Sequence, residues 1–72
     1  MTVHVRAELV SSIHSVVVVL GQQVAAGEPV VILESMKMEI PVLAEAPGTV
    51  TEISVSVGDV VREGDVLVVI TP

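Results

Sequence analysis

The sequence contains no cysteine and no aromatic residue, and each absence removes a class of function. Without cysteine, neither disulfides nor thiolate metal sites can support so small a domain, so it must fold on apolar packing or with a partner. Without aromatic rings, there is no platform for stacking nucleobases and no cage for a cation. Because a cysteine-free chain fits a reducing compartment, we expect a cytoplasmic protein.

Basic residues are scarce as well. The 72 residues carry a net charge of −6, because nine acidic side chains stand against only Arg6, Lys37 and Arg62. A phosphate backbone or an anionic membrane surface would repel such a chain, so we expect neither nucleic-acid nor membrane binding. Apolar runs such as residues 16–20 are too short for a membrane span. The N-terminal stretch MTVHVRAEL lacks the apolar block of a signal peptide, which argues against export.

The residues that are abundant favour strands. Hydrophobic residues make up 51% of the chain, and most of them are valine, leucine and isoleucine. Branched side chains suit pleated strands, and residues 3–9 alternate between apolar and polar with the period of a half-buried strand. No window shows a convincing helical period. The sequence therefore predicts an all-β domain.

The chain is also an internal repeat. Residues 1–35 align with residues 38–72 without a gap, and nine positions are identical. Gly21 and Gly27 fall on Gly58 and Gly64, an agreement that chance rarely produces in so short a chain. We therefore expect one domain over residues 1–72, a flattened barrel-sandwich of two quasi-symmetric halves with about eight short strands in two antiparallel sheets. The strands after the first are expected at 13–20, near Val24, at 29–34, at 38–44, at 50–57, near Val61 and at 66–71.

The second strand of each copy breaks its alternation at the same place. The apolar step runs from Ile13 to Val16 in one copy and from Val50 to Ile53 in the other. A shared slip predicts a β-bulge or bend in both halves. We expect turns just before these strands, at residues 10–12 and 46–48.

Met36 and Lys37 belong to neither copy and lie at the junction between them. The strand PVVILES ends just before them and MEIPVLA begins just after, so the simplest connection is a β-hairpin with these two residues as its tip. Such a tip usually takes a primed turn with positive φ and prefers Asn-Gly. Methionine and lysine there cost about 1–2 kcal/mol each. A broken local rule of this kind points to function.

Lys37 is the only lysine in the chain. An exposed lysine is protonated at neutral pH, and the nearby Glu34 and Glu39 favour that form, so the amine is poorly suited to catalysis of its own. We interpret it as the substrate of another enzyme, at a position that suits a carrier. A solvated surface turn explains the same residues equally well. The sequence offers no nucleophile–base pair and no metal cluster for an independent enzyme.

The segment ESMKMEIPVLA resembles the biotin attachment motif of biotinyl domains, whose core is usually Ala-Met-Lys-Met. The related lipoyl domains usually carry Asp-Lys-Ala at the same tip. The segments LGQQVAAGEPVVILESMKM, APGTV and VGDVVREGDVLVVI are similar to further parts of the family pattern, so the resemblance covers essentially the whole chain. It is strongest to the small biotin carboxyl carrier protein type. Ser35 replaces the usual alanine, and Ser11 stands where its repeat partner Gly48 supplies the family glycine.

The resemblance implies a barrel-sandwich hybrid in which biotin protein ligase attaches biotin to Lys37 through biotinyl-AMP. A biotin carboxylase, using ATP and bicarbonate, then loads the biotin, and a carboxyltransferase, here expected to belong to an acyl-CoA carboxylase of lipid metabolism, receives the carboxyl group. With no carboxylase domain attached, these partners would act in trans on a monomeric, non-catalytic carrier. The flanking recognition positions that the resemblance implies are Glu34, Ser35, Met36, Met38 and Glu39.

Two alternatives stay open beside the biotin carrier: a lipoyl carrier, and a β interaction module without a cofactor. Streptavidin binding and intact mass would separate them. A smaller question concerns the methionines, because Met36 and Met38 could instead fold back onto the end of the barrel.

Neither the two histidines nor the acidic residues of the last loops predict a metal site. His4 and His14 lie on predicted strands without a second ligand type nearby, which argues against a metal site. The acidic residues of the last loops, which we interpret as solvated, are Asp59, Glu63 and Asp65.

The two copies differ on one strand. If Val16, Val18 and Leu20 face inward, Val17 and Val19 face outward where the second copy has serines. We hypothesise that these two valines belong to an apolar patch that docks a partner, with the chain termini as the alternative cover.

Overall fold

The computed structural model describes residues 2–72, and this part of the chain consists of strands and turns. Within it, no helix is present that could cross a membrane. The prediction of an all-β domain with about eight short strands is therefore confirmed. The strands are β1 Val3–Arg6, β2 Ser11–Val16, β3 Gln23–Val24, β4 Pro29–Ser35, β5 Met38–Leu43, β6 Gly48–Ile53, β7 Val60–Val61 and β8 Val66–Thr71.

The strands form two four-stranded sheets, and every pairing is antiparallel. One sheet has the order β1-β8-β6-β3 and the other the order β5-β4-β2-β7. Each sheet thus contains two strands from each half of the chain, so neither half forms a sheet by itself. The two short strands β3 and β7 cross from one half to pair with the other.

The repeat is visible in the strand register. Val3 pairs with Ile70 in one sheet, and the equivalent residues Ile40 and Leu33 pair in the other. The loops follow the same rule, because the N–H of Gly27 donates to Ala44 O and the N–H of Gly64 donates to Ala7 O, both at 2.8 Å. The sequence repeat is therefore a pseudo-twofold arrangement in three dimensions.

The shared slip in the second strands is a pair of equivalent β-bulges. The β2–β4 register shifts between Ile13 and Ser15, and the β6–β8 register shifts between Val50 and Glu52. The extra residues are His14 and Thr51, which occupy the same place in the two copies. The expectation of a bulge in both halves is confirmed.

The second strands start and end earlier than the sequence pattern predicts. Ser11 pairs with Val61 and Gly48 pairs with Val24, so residues expected in turns begin strands instead. Leu20 does not face inward and is 65% exposed. The chain leaves the sheet after Val17 and crosses to the other sheet, where the N–H of Gly21 donates to Val50 O at 2.8 Å.

The core lies between the sheets and is built almost entirely from branched aliphatic side chains. Its largest fully buried members are Ile13, Leu33, Leu67 and Ile70. At Gly48 the backbone of β6 lies against Ile70 and Thr71 of β8. A Cβ at that position would lie 2.7 Å from both Ile70 Cγ2 and Thr71 O, so no larger residue fits without a shift.

Candidate functional site

The tip of the β4–β5 hairpin holds the lysine. Glu34 pairs with Glu39 and Ser35 with Met38, which leaves Met36 and Lys37 as a two-residue turn. Their φ angles are +53° and +64°, the sign that a type I′ turn requires at both central positions. They are the only non-glycine residues of the described chain with positive φ. Among the described residues other than glycine, the strained backbone conformation is therefore confined to Met36 and Lys37.

Replacing the tip with the favoured turn sequence should make the domain more stable. We expect the double variant Met36→Asn, Lys37→Gly to gain about 1–2 kcal/mol in the free energy of unfolding, because asparagine and glycine accept positive φ. Urea unfolding of the variant and the unchanged chain measures the difference. The two single variants are the controls and should each supply part of the gain. A less stable double variant would show that the tip is not strained.

Both methionines beside the lysine stand in solvent. Met36 is 91% exposed and Met38 is 62% exposed, while Lys37 is also exposed. Neither methionine belongs to the core or packs against it. The alternative that they fold back onto the barrel end is therefore wrong. The tip presents three consecutive long side chains outward, with the amine in the middle.

The two glutamates lie opposite each other on neighbouring strands rather than against the lysine. Glu34 and Glu39 are a directly paired cross-strand couple, an arrangement in which like charges repel. Within residues 2–72 the one basic and acidic pair of side chains within 4 Å is His14 Nε2 and Glu39 Oε2, at 3.9 Å, which is a salt bridge when the imidazole is protonated. In that part of the chain no carboxylate lies within salt-bridge distance of the Lys37 ammonium group, so its amine is open to an approaching enzyme.

His14 is the residue near the tip that sequence reasoning did not connect with it. The sequence places His14 on a strand 23 positions before Lys37, with no motif around it. The bulge at His14 and the β2–β4 register bring its ring near Glu39. The shared slip in the two copies was the one available signal, and it located the bulge without giving the direction of the side chain.

Serines attach the lysine-bearing strand to its neighbour. The Ser12 hydroxyl donates to Glu34 O at 3.4 Å, and the Ser35 hydroxyl donates to Val10 O at 3.5 Å. Both bonds are long and therefore weak. Ser35 thus has a polar partner that the alanine usual in the family motif would lack, which is how the fold accommodates this departure.

The acidic residues of the last loops have structural partners. Asp59 Oδ2 accepts the Ser56 N–H at 2.8 Å, and Asp65 Oδ2 accepts the Arg62 N–H at 2.9 Å. Such bonds from an aspartate to a neighbouring backbone N–H stabilise turns. Glu63 is exposed between them. Residues 2–72 bring no group of three or more metal-ligating side chains together.

Val17 and Val19 lie on the surface, away from the tip. They are 45% and 67% exposed, so the alternative that the chain termini cover them is wrong. The N–H of Val17 donates to Val30 O, which places this segment near the start of β4, whereas Lys37 follows the end of β4. The equivalent residues of the second half are the exposed serines Ser54 and Ser56.

Taken from the residues upward, the site is a single amine held out on a rigid β-hairpin without catalytic groups around it. That arrangement defines a small carrier domain, which receives a group covalently and presents it to other proteins. Residues 4–70 match the model of the Biotin_lipoyl family, described as "Biotin-requiring enzyme". The chain belongs to this family of biotin and lipoyl attachment domains.

Two relatives match nearly the whole chain. A protein of Mycobacterium leprae described as "Biotinylated protein TB7.3 homolog" is 55% identical over 71 residues, which cover 99% of this chain and 100% of the relative. The "Biotin/lipoyl attachment protein" of Bacillus subtilis is 46% identical over 67 residues, which cover 93% of this chain and 89% of the relative. One name describes a biotinylated protein and the other an attachment protein, and neither describes a catalytic subunit, so the chain is a carrier domain.

Solved structures share the fold. The urea carboxylase of Kluyveromyces lactis matches with a TM-score of 0.93 and 34% identity, over 99% of this chain and 6% of that one. A single-chain, multi-domain long-chain acyl-CoA carboxylase matches with a TM-score of 0.90 and 33% identity, over 97% of this chain and 7% of that one. The lipoyl domain of the 2-oxoglutarate dehydrogenase complex of Azotobacter vinelandii matches with a TM-score of 0.75 and 26% identity. The match covers 94% of this chain and 96% of that one.

Proposed function

We propose that the chain is a biotin carboxyl carrier and that Lys37 is the residue to which biotin is attached. The observation that carries the proposal is the tip itself, where a strained turn holds the only lysine between two exposed methionines. The resemblance of ESMKME to the biotin attachment motif agrees with it. The name of the Mycobacterium leprae relative, a biotinylated protein, favours biotin over other cargo.

The residues present fit a covalently attached biotin. Attachment requires an amine that a second enzyme can reach and that no neighbouring side chain occupies, and Lys37 meets both conditions among the described residues. A biotin protein ligase would supply biotinyl-AMP, and Nζ of Lys37 would form an amide bond with its acyl carbon as the acyl–phosphate bond breaks and AMP leaves. When bound, biotin supplies a ureido nitrogen that can accept a carboxyl group and release it again.

The chain's own contribution is positioning. Six cross-strand pairs join β4 to β5, and the buried side chains of β4 anchor this hairpin in the core. The hairpin therefore holds Lys37 at a fixed place while the side chain beyond Cβ stays mobile. A rigid base with a flexible arm lets one cargo visit two active sites in turn, which is what a carrier between a carboxylase and a transferase must do.

The partners follow from this role. We propose that the carrier works in the cytoplasm as a monomer, with biotin protein ligase, a biotin carboxylase and the carboxyltransferase of an acyl-CoA carboxylase in lipid metabolism. The structural similarity to a long-chain acyl-CoA carboxylase supports this acceptor class. Because the chain is also similar to a urea carboxylase, transfer to urea is the alternative against which the acyl-CoA acceptor should be tested.

The lipoyl carrier is the second candidate, because a lipoyl domain shares the fold. Met36 and Met38 count against it, since lipoyl domains usually carry Asp-Lys-Ala at this tip. A cofactor-free interaction module is the third candidate, and it leaves the strained lysine tip without a purpose.

The proposal is tested by following the whole transfer. The chain is loaded by purified biotin protein ligase, and then incubated with a biotin carboxylase, ATP and labelled bicarbonate. We expect label to appear on the loaded chain and to move to an acyl-CoA when the carboxyltransferase is added. Label that the loaded chain never acquires, with a carboxylase that labels free biotin, would contradict the proposal.

The exposed valines away from the tip give a prediction about the carboxylase. We expect Val17→Ser with Val19→Ser to fold normally, because serines occupy the equivalent positions of the second half. Binding to the biotin carboxylase subunit, measured by titration, should weaken, by up to about tenfold for the apolar area lost from two partly exposed valines. The matched control is Val57→Ser, since Val57 is another exposed valine, at 68%, in the loop between β6 and β7. Equal affinity of the double variant would remove the docking hypothesis.

A further inference from the structure

Two of the chain's three methionines flank Lys37, and both are open to solvent. Met36 is 91% exposed and Met38 is 62% exposed, while Met1 lies outside the described residues. An exposed thioether reacts with hydroperoxides to give methionine sulfoxide, which methionine sulfoxide reductases return to the thioether. The most oxidisable surface groups described in this chain thus stand on either side of its one lysine.

We propose that Met36 and Met38 are oxidation sites and that their sulfoxides block the attachment of biotin to Lys37. This inference rests on the proposed function. In the reaction a hydroperoxide transfers one oxygen atom to the sulfur. The S–O bond forms as the O–O bond breaks, the sulfur gives up two electrons, and water or an alcohol leaves. The thiol-dependent reductase removes that oxygen as water while two thiols are oxidised to a disulfide, which returns two electrons to the sulfur.

The position of the methionines explains why oxidation would act on attachment. Any enzyme that reaches the Lys37 amine has to cover the side chains next to it, and the hairpin fixes all three relative to one another. Thioethers are flexible and apolar, which suits contact with a protein surface. A sulfoxide is polar and chiral, and burying its oxygen without a hydrogen-bond donor is unfavourable.

The same exposure keeps the effect local. Neither methionine packs against the core, so oxidation removes no buried contact and leaves the two sheets as they are. The turn also cannot move aside, because Ser35 pairs with Met38 and Glu34 with Glu39 directly beneath it. Oxidation therefore changes the surface that an enzyme meets and not the fold that presents it.

The two sites are not equivalent. Met36 is more exposed than Met38, and Met38 is part of a strand pair with Ser35. With a limiting amount of hydrogen peroxide, we expect sulfoxide to form at Met36 ahead of Met38. Peptide mapping by mass spectrometry gives the order and also reports Met1.

The experiment compares ligase kinetics before and after oxidation of the full 72-residue chain with free Lys37. We expect hydrogen peroxide to lower kcat/KM for biotin attachment at least tenfold, and the sulfoxide reductase with a thiol to restore it. The circular dichroism spectrum should stay unchanged. The controls are Met36→Leu, Met38→Leu and the double variant, each compared with its own untreated sample, since leucine has a similar volume and no sulfur.

The outcomes are distinct. The double variant is expected to keep its own rate within about twofold after peroxide, even when Met1 is oxidised. An oxidised chain that accepts biotin at the untreated rate would overturn the inference, and so would an equal loss in the double variant. An untreated chain that the ligase never loads would instead overturn the proposed function.

Discussion

Lys37→Arg is expected to abolish biotin attachment completely. Arginine keeps the positive charge and the long stem, so the tip should stay folded, but a guanidinium is not acylated under conditions that acylate a lysine amine. After incubation with biotin protein ligase, ATP and biotin, the unchanged chain should gain one biotinyl group by intact mass and bind streptavidin. The variant should gain none.

A variant with its lysine at another position shows whether the ligase recognises the hairpin tip or any exposed lysine. Arg62 is exposed in the loop after β7, so Lys37→Arg with Arg62→Lys offers the ligase one lysine away from the hairpin. We expect this double variant to stay unloaded. Loading at position 62 at the normal rate would mean that the turn geometry has no part in recognition.

Truncating a core leucine beneath the hairpin should sharply lower the free energy of unfolding. Leu33 lies in β4, three residues before Met36 of the tip, and is 1% exposed. Leu33→Ala should cost about 2–5 kcal/mol, because it leaves a cavity in the core between the sheets. A chain of this length has a total stability of about 4–11 kcal/mol, so this single change could remove half of it. Urea unfolding followed by circular dichroism measures the loss.

The matched control lies on the next strand. Leu43 ends β5 and is 47% exposed, so Leu43→Ala should cost about 1 kcal/mol or less. A similar loss for both leucines would mean that the interior is not packed as described. A large loss for Leu33 alone would also explain why residues far from Lys37 matter for a carrier, since they hold the hairpin in place.

Much of this fold can be predicted from the sequence because each pattern occurs twice, at equivalent positions of the two copies. A single slip from Ile13 to Val16 would be weak evidence, but the same slip from Val50 to Ile53 made the bulge a specific expectation. The short strands at Val24 and Val61 could be predicted for the same reason. Each belongs to a pair of equivalent segments bracketed by glycines.

The ends of the second strands could not be predicted, because tertiary contacts decide them. Residues 16–20 are all apolar, and an apolar run does not show where a strand stops. In the structure, the chain leaves its sheet so that Gly21 can bond to Val50 in the other sheet, and Leu20 is left in solvent. Likewise, Ser11 reads as a turn residue until its pairing with Val61 is known.

Part of the candidate site could likewise be predicted from the sequence, and part could not. Its position follows from the repeat, because Met36 and Lys37 are the residues that neither copy contains. Its cargo does not follow from geometry, since an exposed lysine on a hairpin would serve a biotin or a lipoyl carrier equally. The approach of His14 to Glu39 depends on the register across three strands, which no local pattern reveals.

The mass of the chain, with site mapping, after exposure to biotin and lipoyl ligases together with both cofactors shows which group Lys37 accepts. We expect a single biotinyl group per chain, located on Lys37 between Met36 and Met38, and no lipoyl group. A lipoyl group on Lys37, or a biotinyl group at any other position, would contradict it.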